Sequence, residues 1–197
     1  MNIFALSLNV KECAQMHNDK HCVKMILEYS QLLSTAHRIL DGKLSIENRY
    51  IEGTNPARYR KTKVWKLNSS LDNILYQATH VNHPSAVWTR ESIKNYTWLS
   101  QLLTELCKEY TYRYDKIHKC EYSGLVRELQ TTPVNIKSGE FTQITPAMPI
   151  EYIIDGNCVE SYRNYYNKAK QHLASWKGKV NSRNLPNWFI MENSHVV

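Results

Sequence analysis

Seven polar side chains recur at steps of four and three: His17, His21, Lys24, Glu28, Gln31, Thr35 and Arg38. On a helix at about 100° per residue they fall in one narrow strip. Met25, Leu32 and Ile39 border it on one side and Leu27 on the other, and Val23, Ile26, Leu33, Ala36 and Leu40 fill much of the remaining circumference. A solvated helical face is normally wide. This strip is thin, chemically varied and walled by large apolar groups. Buried charges are costly unless they are paired or serve a site. Acid, imidazole and cation in adjacent turns also perturb one another's proton affinity, which is how such groups are tuned for proton transfer. The strip therefore reads as a ligand or reaction site centred on Glu28, His21 and Arg38, with His17, Lys20, Lys24 and Thr35 as ligand- or phosphate-binding neighbours. The competing reading is a polar surface stripe or an internal ion-pair network.

His17 and His21 stand one turn apart, the spacing of two metal ligands on a helix. The pattern is H-x-x-x-H without the glutamate of H-E-x-x-H, and Lys20 and Lys24 beside it oppose a divalent cation. No metal and no cofactor are expected.

The elements that must position this strip read as mainly helical, in a single compact domain. A helical pattern runs from about Val10 to Leu40 and is closed by Asp41-Gly42. Thr54-Asn55-Pro56 carries cap-then-proline chemistry, and Ser69 or Ser70 caps a shorter helix to about Thr79. Asn82-His83-Pro84 opens a second long helix toward Ile117, with Trp88, Ser92, Asn95, Leu99, Leu102, Leu106, Tyr110 and Ile117 on its core face. His83 at that start suits an anion; Trp88 and Trp98 offer a stacking wall, and Asn95 and Arg113 lie on the inward line. Residues 131 to 155 carry Pro133, Pro146 and Pro149 without helical period, an irregular stretch of the kind that usually has a function. A last helix spans about Cys158 to Trp176, and residues 2 to 7 give at most one short strand.

The 197 residues are 42% hydrophobic and 22% charged, enough for a buried core. No apolar run is long enough for a membrane span or a secretory signal, so a cytoplasmic protein without membrane association is expected. The five cysteines form no C-x-x-C pair and read as reduced, packed thiols. The net charge is +7. Arg58, Arg60, Lys61, Lys63 and Lys66 crowd around Tyr59 and Trp65, and a second basic group surrounds Trp176 and Trp188. Cations interleaved with aromatics suit a polyanion that carries stackable bases; a merely solvated basic face is the alternative.

Several blocks together resemble a family of small bacteriophage proteins. They are Asp19-Lys20-His21-Cys22-Val23-Lys24-Met25 with Glu28, Thr35-Ala36-His37-Arg38, and Asn82-His83-Pro84 with Trp88. Further on come Glu109-Tyr110-Thr111-Tyr112-Arg113-Tyr114 with His118-Lys119, Pro146-Ala147-Met148-Pro149, Tyr162-Arg163-Asn164-Tyr165-Tyr166 and Pro186-Asn187-Trp188-Phe189. That resemblance adds Tyr114 and Lys119 to the candidate ligand-binding residues and implies a phage origin, with action in the host cytoplasm. More distantly, the chain resembles the pyrimidine-dimer DNA glycosylases of the phage endonuclease V type: small helical proteins with a basic DNA face and a catalytic glutamate on the first long helix, which Glu28 matches in placement. Those enzymes use the amine of a small second residue. Here Asn2 is bulky, Met1 is expected to stay, and a Schiff-base lyase step is not expected.

Three functions follow as expectations. The first is a DNA N-glycosylase in which Glu28 activates water or stabilises positive charge while His21 and Arg38 orient or protonate. The second is a pocket protein that binds or cleaves a small nucleotide, such as a host defence signal. The third is a helical interaction protein without chemistry. The partner is thus DNA or a small nucleotide, and nothing in the sequence sets the oligomeric state.

Overall fold

The computed structural model describes residues 1–53 and 58–191; the Thr54-Asn55-Pro56 signal lies outside them. It is 47% helical, with seven helices among the described residues and one two-stranded antiparallel sheet, a mainly α architecture. The helices are α1 (Val10–Met16), α2 (Asp19–Asp41), α3 (Pro84–Thr89), α4 (Ile93–Tyr114), α5 (Lys119–Tyr122), α6 (Leu125–Glu128) and α7 (Cys158–Ala169). The strands are β1 (Lys43–Ile51) and β2 (Arg58–Lys66).

Side-chain caps divide what the apolar period reads as continuous. Asn18 accepts a hydrogen bond from the His21 amide at 2.8 Å and starts α2 afresh after α1. Ser92 accepts from the Asn95 amide and separates α4 from α3. A side-chain acceptor at a helix start satisfies amides that have no partner within the helix, so each cap favours a break over continuation. Gly42 ends α2 as expected. The helix expected after Ser69 shrinks to a single 3-10 turn, Ser70–Asn73.

α2 packs against α3 and α4, and α1 lies on α4. Leu32, Leu33, Trp88, Tyr96, Leu99 and Leu102 are buried between them. Burying such side chains contributes about 1.5–3 kcal/mol each, which is the main support of the bundle. Residues 3 to 6 do not form a strand. With no strand partner, they thread the core as an irregular segment, and Ile3, Phe4, Ala5 and Leu6 are all buried.

The main departure from expectation is the hairpin. β1 and β2 are nine residues each and pair from Lys43↔Lys66 to Ile51↔Arg58, far more than one short strand. Val64 is buried at its base, and most of the ribbon is exposed. Residues 131 to 149 are irregular, as expected, and are held by side chains instead of by a ladder. Asn95 donates to Thr142 Oγ1 at 2.8 Å and accepts from the Thr142 amide at 2.9 Å, while Trp88 Nε1 donates to the Thr142 carbonyl.

The segment after α7 straps back over α2 and α4. Asp19 accepts hydrogen bonds from Ser175 Oγ and from the amides of Lys177 and Gly178. Gly178 has φ +59°, and a Cβ there would run into the carbonyl oxygens of Asn181 and Arg113. Gly178→Ala is therefore expected to lower stability by about 1–3 kcal/mol, read as an earlier urea midpoint. An unchanged midpoint would show that the strap does not depend on this turn.

Candidate functional site

Six of the seven strip residues, His21 to Arg38, lie on α2, while His17 is the C-terminal cap of α1, and the members divide into two groups. His17, His21, Thr35 and Arg38 are buried, whereas Lys24 keeps 61% of its side chain exposed and Glu28 keeps 13%. The division follows which partners the rest of the chain supplies.

His17 is wholly enclosed. Its Nδ1 lies 2.7 Å from the Cys13 carbonyl, so that nitrogen carries the proton, and Nε2 accepts from the Tyr29 hydroxyl at 2.9 Å. His21 stacks on Phe4 with ring centroids 4.2 Å apart, and its Nδ1 lies 2.6 Å from the Tyr166 hydroxyl. Burial lowers the pKa of His17 to about 4 and of His21 to about 3, the latter helped by neighbouring cations. His37, hydrogen-bonded to Tyr96, is also lowered by burial.

These shifts carry a sign. Each histidine is neutral in the fold near pH 7, while in the unfolded chain it protonates near 6.5. The unfolded state therefore binds more protons below that value. The contribution is fully present above about pH 6.5 and is lost as pH falls toward the folded values, by about 1.4 kcal/mol per pH unit for each histidine that stays neutral. Urea unfolding at about pH 7.5 and 5.5 checks this; a flat profile would contradict the neutral, buried state.

Arg38 has no exposed surface, and its guanidinium is fully engaged. It donates to the carbonyls of Trp65, Asp72, Leu75 and Tyr76 and to Asp72 Oδ1 at 2.6 Å. Its role in the fold is to fasten the base of the hairpin and residues 72 to 76 to α2. Thr35 exchanges hydrogen bonds with the backbone of Thr79. Arg113, also fully buried, bridges Glu109, Asp19 and the Gln15 carbonyl, and Tyr114 donates to the Asp19 carbonyl. Trp88 and Asn95 hold the 139–144 segment, as described above. Lys20 and Lys119 are exposed, as are Arg58, Arg60, Lys61, Lys63 and Lys66 on the hairpin.

Around Glu28 a different set converges. Glu28 Oε1 is 3.0 Å from Lys24 Nζ, and Oε2 accepts from the Asn2 backbone amide at 3.3 Å. Asn2 is itself immobilised from both sides. Its Nδ2 donates to the Ala147 carbonyl at 2.9 Å, and its Oδ1 accepts from the Tyr162 hydroxyl at 2.6 Å and from the Ile3 amide. His83, the cap of α3, stands within electrostatic reach: burial lowers its pKa and the Glu28 carboxylate opposes that shift. The N-terminal segment, α2, α3, α7 and the proline-bounded 146–149 turn thus converge on one largely buried carboxylate.

Sequence reasoning singled out Glu28, Lys24 and His83 but missed Asn2, which meets Glu28, and Tyr162, which holds Asn2. The available signal was that the Pro146-Ala147-Met148-Pro149 and Tyr162 blocks are distant in sequence from Glu28 yet equally distinctive. A cleft of about 360 Å³ lies between Lys11, Lys108, Glu109, Tyr112 and Arg183. No helix among the described residues is long and apolar enough to cross a membrane, and all five cysteines are buried and unpaired. Comparison with protein-family models, curated proteins and solved structures finds no match.

Proposed function

We propose that the chain is a DNA N-glycosylase acting on a damaged or modified base, with Glu28 as the catalytic carboxylate. The observation that carries this is the seating of Glu28. An ordinary surface pair between residues four apart on a helix contributes little and needs no scaffold. Here a backbone amide from far along the chain is held at the carboxylate by an asparagine, which is fixed in turn by Tyr162 and Ala147.

Cleavage of an N-glycosidic bond builds positive charge on the sugar carbon. A preorganised carboxylate stabilises that charge and accepts a proton from the attacking water. Oxygen bonds to C1′, the C1′–N bond breaks, and the electron pair leaves with the base, which is protonated from solvent. The Asn2 nitrogen is an amide, a hydrogen-bond donor that orients Glu28 and not an amine that attacks. His83 and Lys24 flank the carboxylate with positive or polar character suited to phosphate oxygens. In this reading His21 and Arg38, expected to orient or protonate, support the site from inside the fold.

A polymer from which one nucleotide is turned outward suits a chain whose exposed hairpin carries Arg58, Arg60, Lys61, Lys63 and Lys66. The test is formation of abasic sites, scored with an aldehyde-reactive probe, in DNA carrying photoproducts, alkylated, deaminated or hydroxymethylated bases. Sites are expected on at least one substrate, and their absence on all of them overturns the reading.

A further inference from the structure

The hairpin has two chemically different faces, because side chains alternate along a strand and cross-strand partners share a side. On one face lie the pairs Tyr50–Tyr59, Asn48–Lys61, Ile46–Lys63 and Leu44–Trp65; on the other lie Arg49–Arg60, Glu47–Thr62, Ser45–Val64 and Lys43–Lys66. The ion pairs of Glu47 with Arg49 and Lys66 stay on that second face. The first face sets apolar and aromatic side chains beside Asn48, Lys61 and Lys63, and they are exposed: Ile46 and Tyr59 each keep 65% of their surface, Tyr50 51% and Leu44 50%. Near the tip, the rings of Tyr50 and Tyr59 meet edge to face at 5.9 Å.

Residues 43 to 66 also hold seven Lys and Arg against two Glu, five of the chain's seven net positive charges. A ribbon this exposed and apolar on one side, with that charge, has a polyanion as its natural cover. A duplex offers it phosphates and polar groove edges, which match the arginine face and leave the tyrosine face in water. Unpaired bases offer flat π surfaces, which stack on aromatic side chains while nearby cations meet the backbone. Lys61 and Lys63 stand on the tyrosine face about 6.8 Å apart along the strand, between Tyr59 and Trp65.

We propose that the β1–β2 hairpin is an arm that binds single-stranded DNA, with unpaired bases on the Tyr50–Tyr59 face and phosphates on Lys61 and Lys63. The arm rests on the reading that the chain acts on DNA. It gives that activity a preference for strands already open, as at a mismatch, bubble or replication fork. Arg38 ties the arm to the helix that carries Glu28, so the bound strand and the carboxylate share one rigid support.

The test is fluorescence anisotropy with an oligo-dT of about 15 nucleotides and with a duplex of equal length, between about 50 and 200 mM salt. It uses the Glu28→Gln protein, so that binding is read without turnover. Tighter binding of oligo-dT than of the duplex is expected. Tyr50→Ala with Tyr59→Ala is expected to weaken oligo-dT binding by ~10–100-fold with little change in salt slope. Lys61→Gln with Lys63→Gln is expected to flatten that slope by about 1.4. These side chains are exposed, and an unchanged circular dichroism spectrum confirms that each variant is folded. Duplex bound as tightly as oligo-dT, or binding indifferent to the tyrosine pair, overturns the proposal. So does a wild-type dimer in sedimentation that the tyrosine variant dissociates, since the face then serves a second copy. Because catalysis is not read, loss of the arm and loss of the glycosylase activity are distinguishable: oligo-dT binding without abasic sites removes only the enzyme.

Discussion

Glu28→Gln is expected to lower abasic-site formation by about 10²–10⁴-fold while leaving the fold intact. Glutamine has the same shape, and its amide oxygen still accepts from the Asn2 backbone. It cannot take a proton from water or offset positive charge on the sugar. The ion pair lost with Lys24 is largely exposed on the lysine side, so the change in unfolding free energy should stay within about 0.5 kcal/mol. DNA binding should be equal or tighter, since a negative charge leaves a surface that faces phosphates. A rate loss matched by a comparable loss of stability or of binding would assign Glu28 a structural role.

The largest stability effect should come from Arg38→Met. This guanidinium has no exposed surface and makes five hydrogen bonds, four of them to backbone carbonyls that have been removed from water around it. Removing one partner of a buried, hydrogen-bonded charge costs about 3–5 kcal/mol, because the groups left behind are desolvated and unpaired. Asp72 keeps part of its surface in water and can relax, which places the loss toward the lower end. Lysine should not rescue it, since a single ammonium cannot reproduce a planar fork. The loss should be read by urea unfolding, and hydrogen exchange should show the hairpin and residues 72 to 76 opening first. A loss below about 1 kcal/mol would mean that the hairpin is held by Val64 and its neighbours instead.

These two residues show how far the sequence can be read. The period of the α2 strip was legible, and burial of His17, His21, Thr35 and Arg38 follows from the apolar walls beside them. What each polar group does was not legible, because its partner arrives from elsewhere in the chain: Tyr166 reaches His21 across 145 residues, and Leu75 and Tyr76 close on Arg38. A buried polar strip therefore combined structural anchors with one acid that keeps a small part of its side chain in water, and only the partners separate them. The helix breaks at Asn18 and Ser92 were signalled by ordinary cap residues, yet the apolar period on either side was strong enough to read through both. The hairpin was hidden differently. Its alternation is present in Leu44, Ile46, Asn48 and Tyr50, but the density of charge around Arg58 to Lys66 favoured a reading by composition over one by period. Asn2 was read for its size alone. Its importance comes from Tyr162 and Ala147, which no local pattern connects to it.

The most direct test of the central claim is the count of abasic sites and freed bases produced by the wild-type chain and by Glu28→Gln, on the same DNA and at equal protein concentration. Wild type should generate abasic ends in step with base excision, and the glutamine variant should generate almost none while still binding the strand. Equal yields from the two proteins, or none from wild type on DNA that it binds, would contradict an account in which this carboxylate breaks the bond between base and sugar.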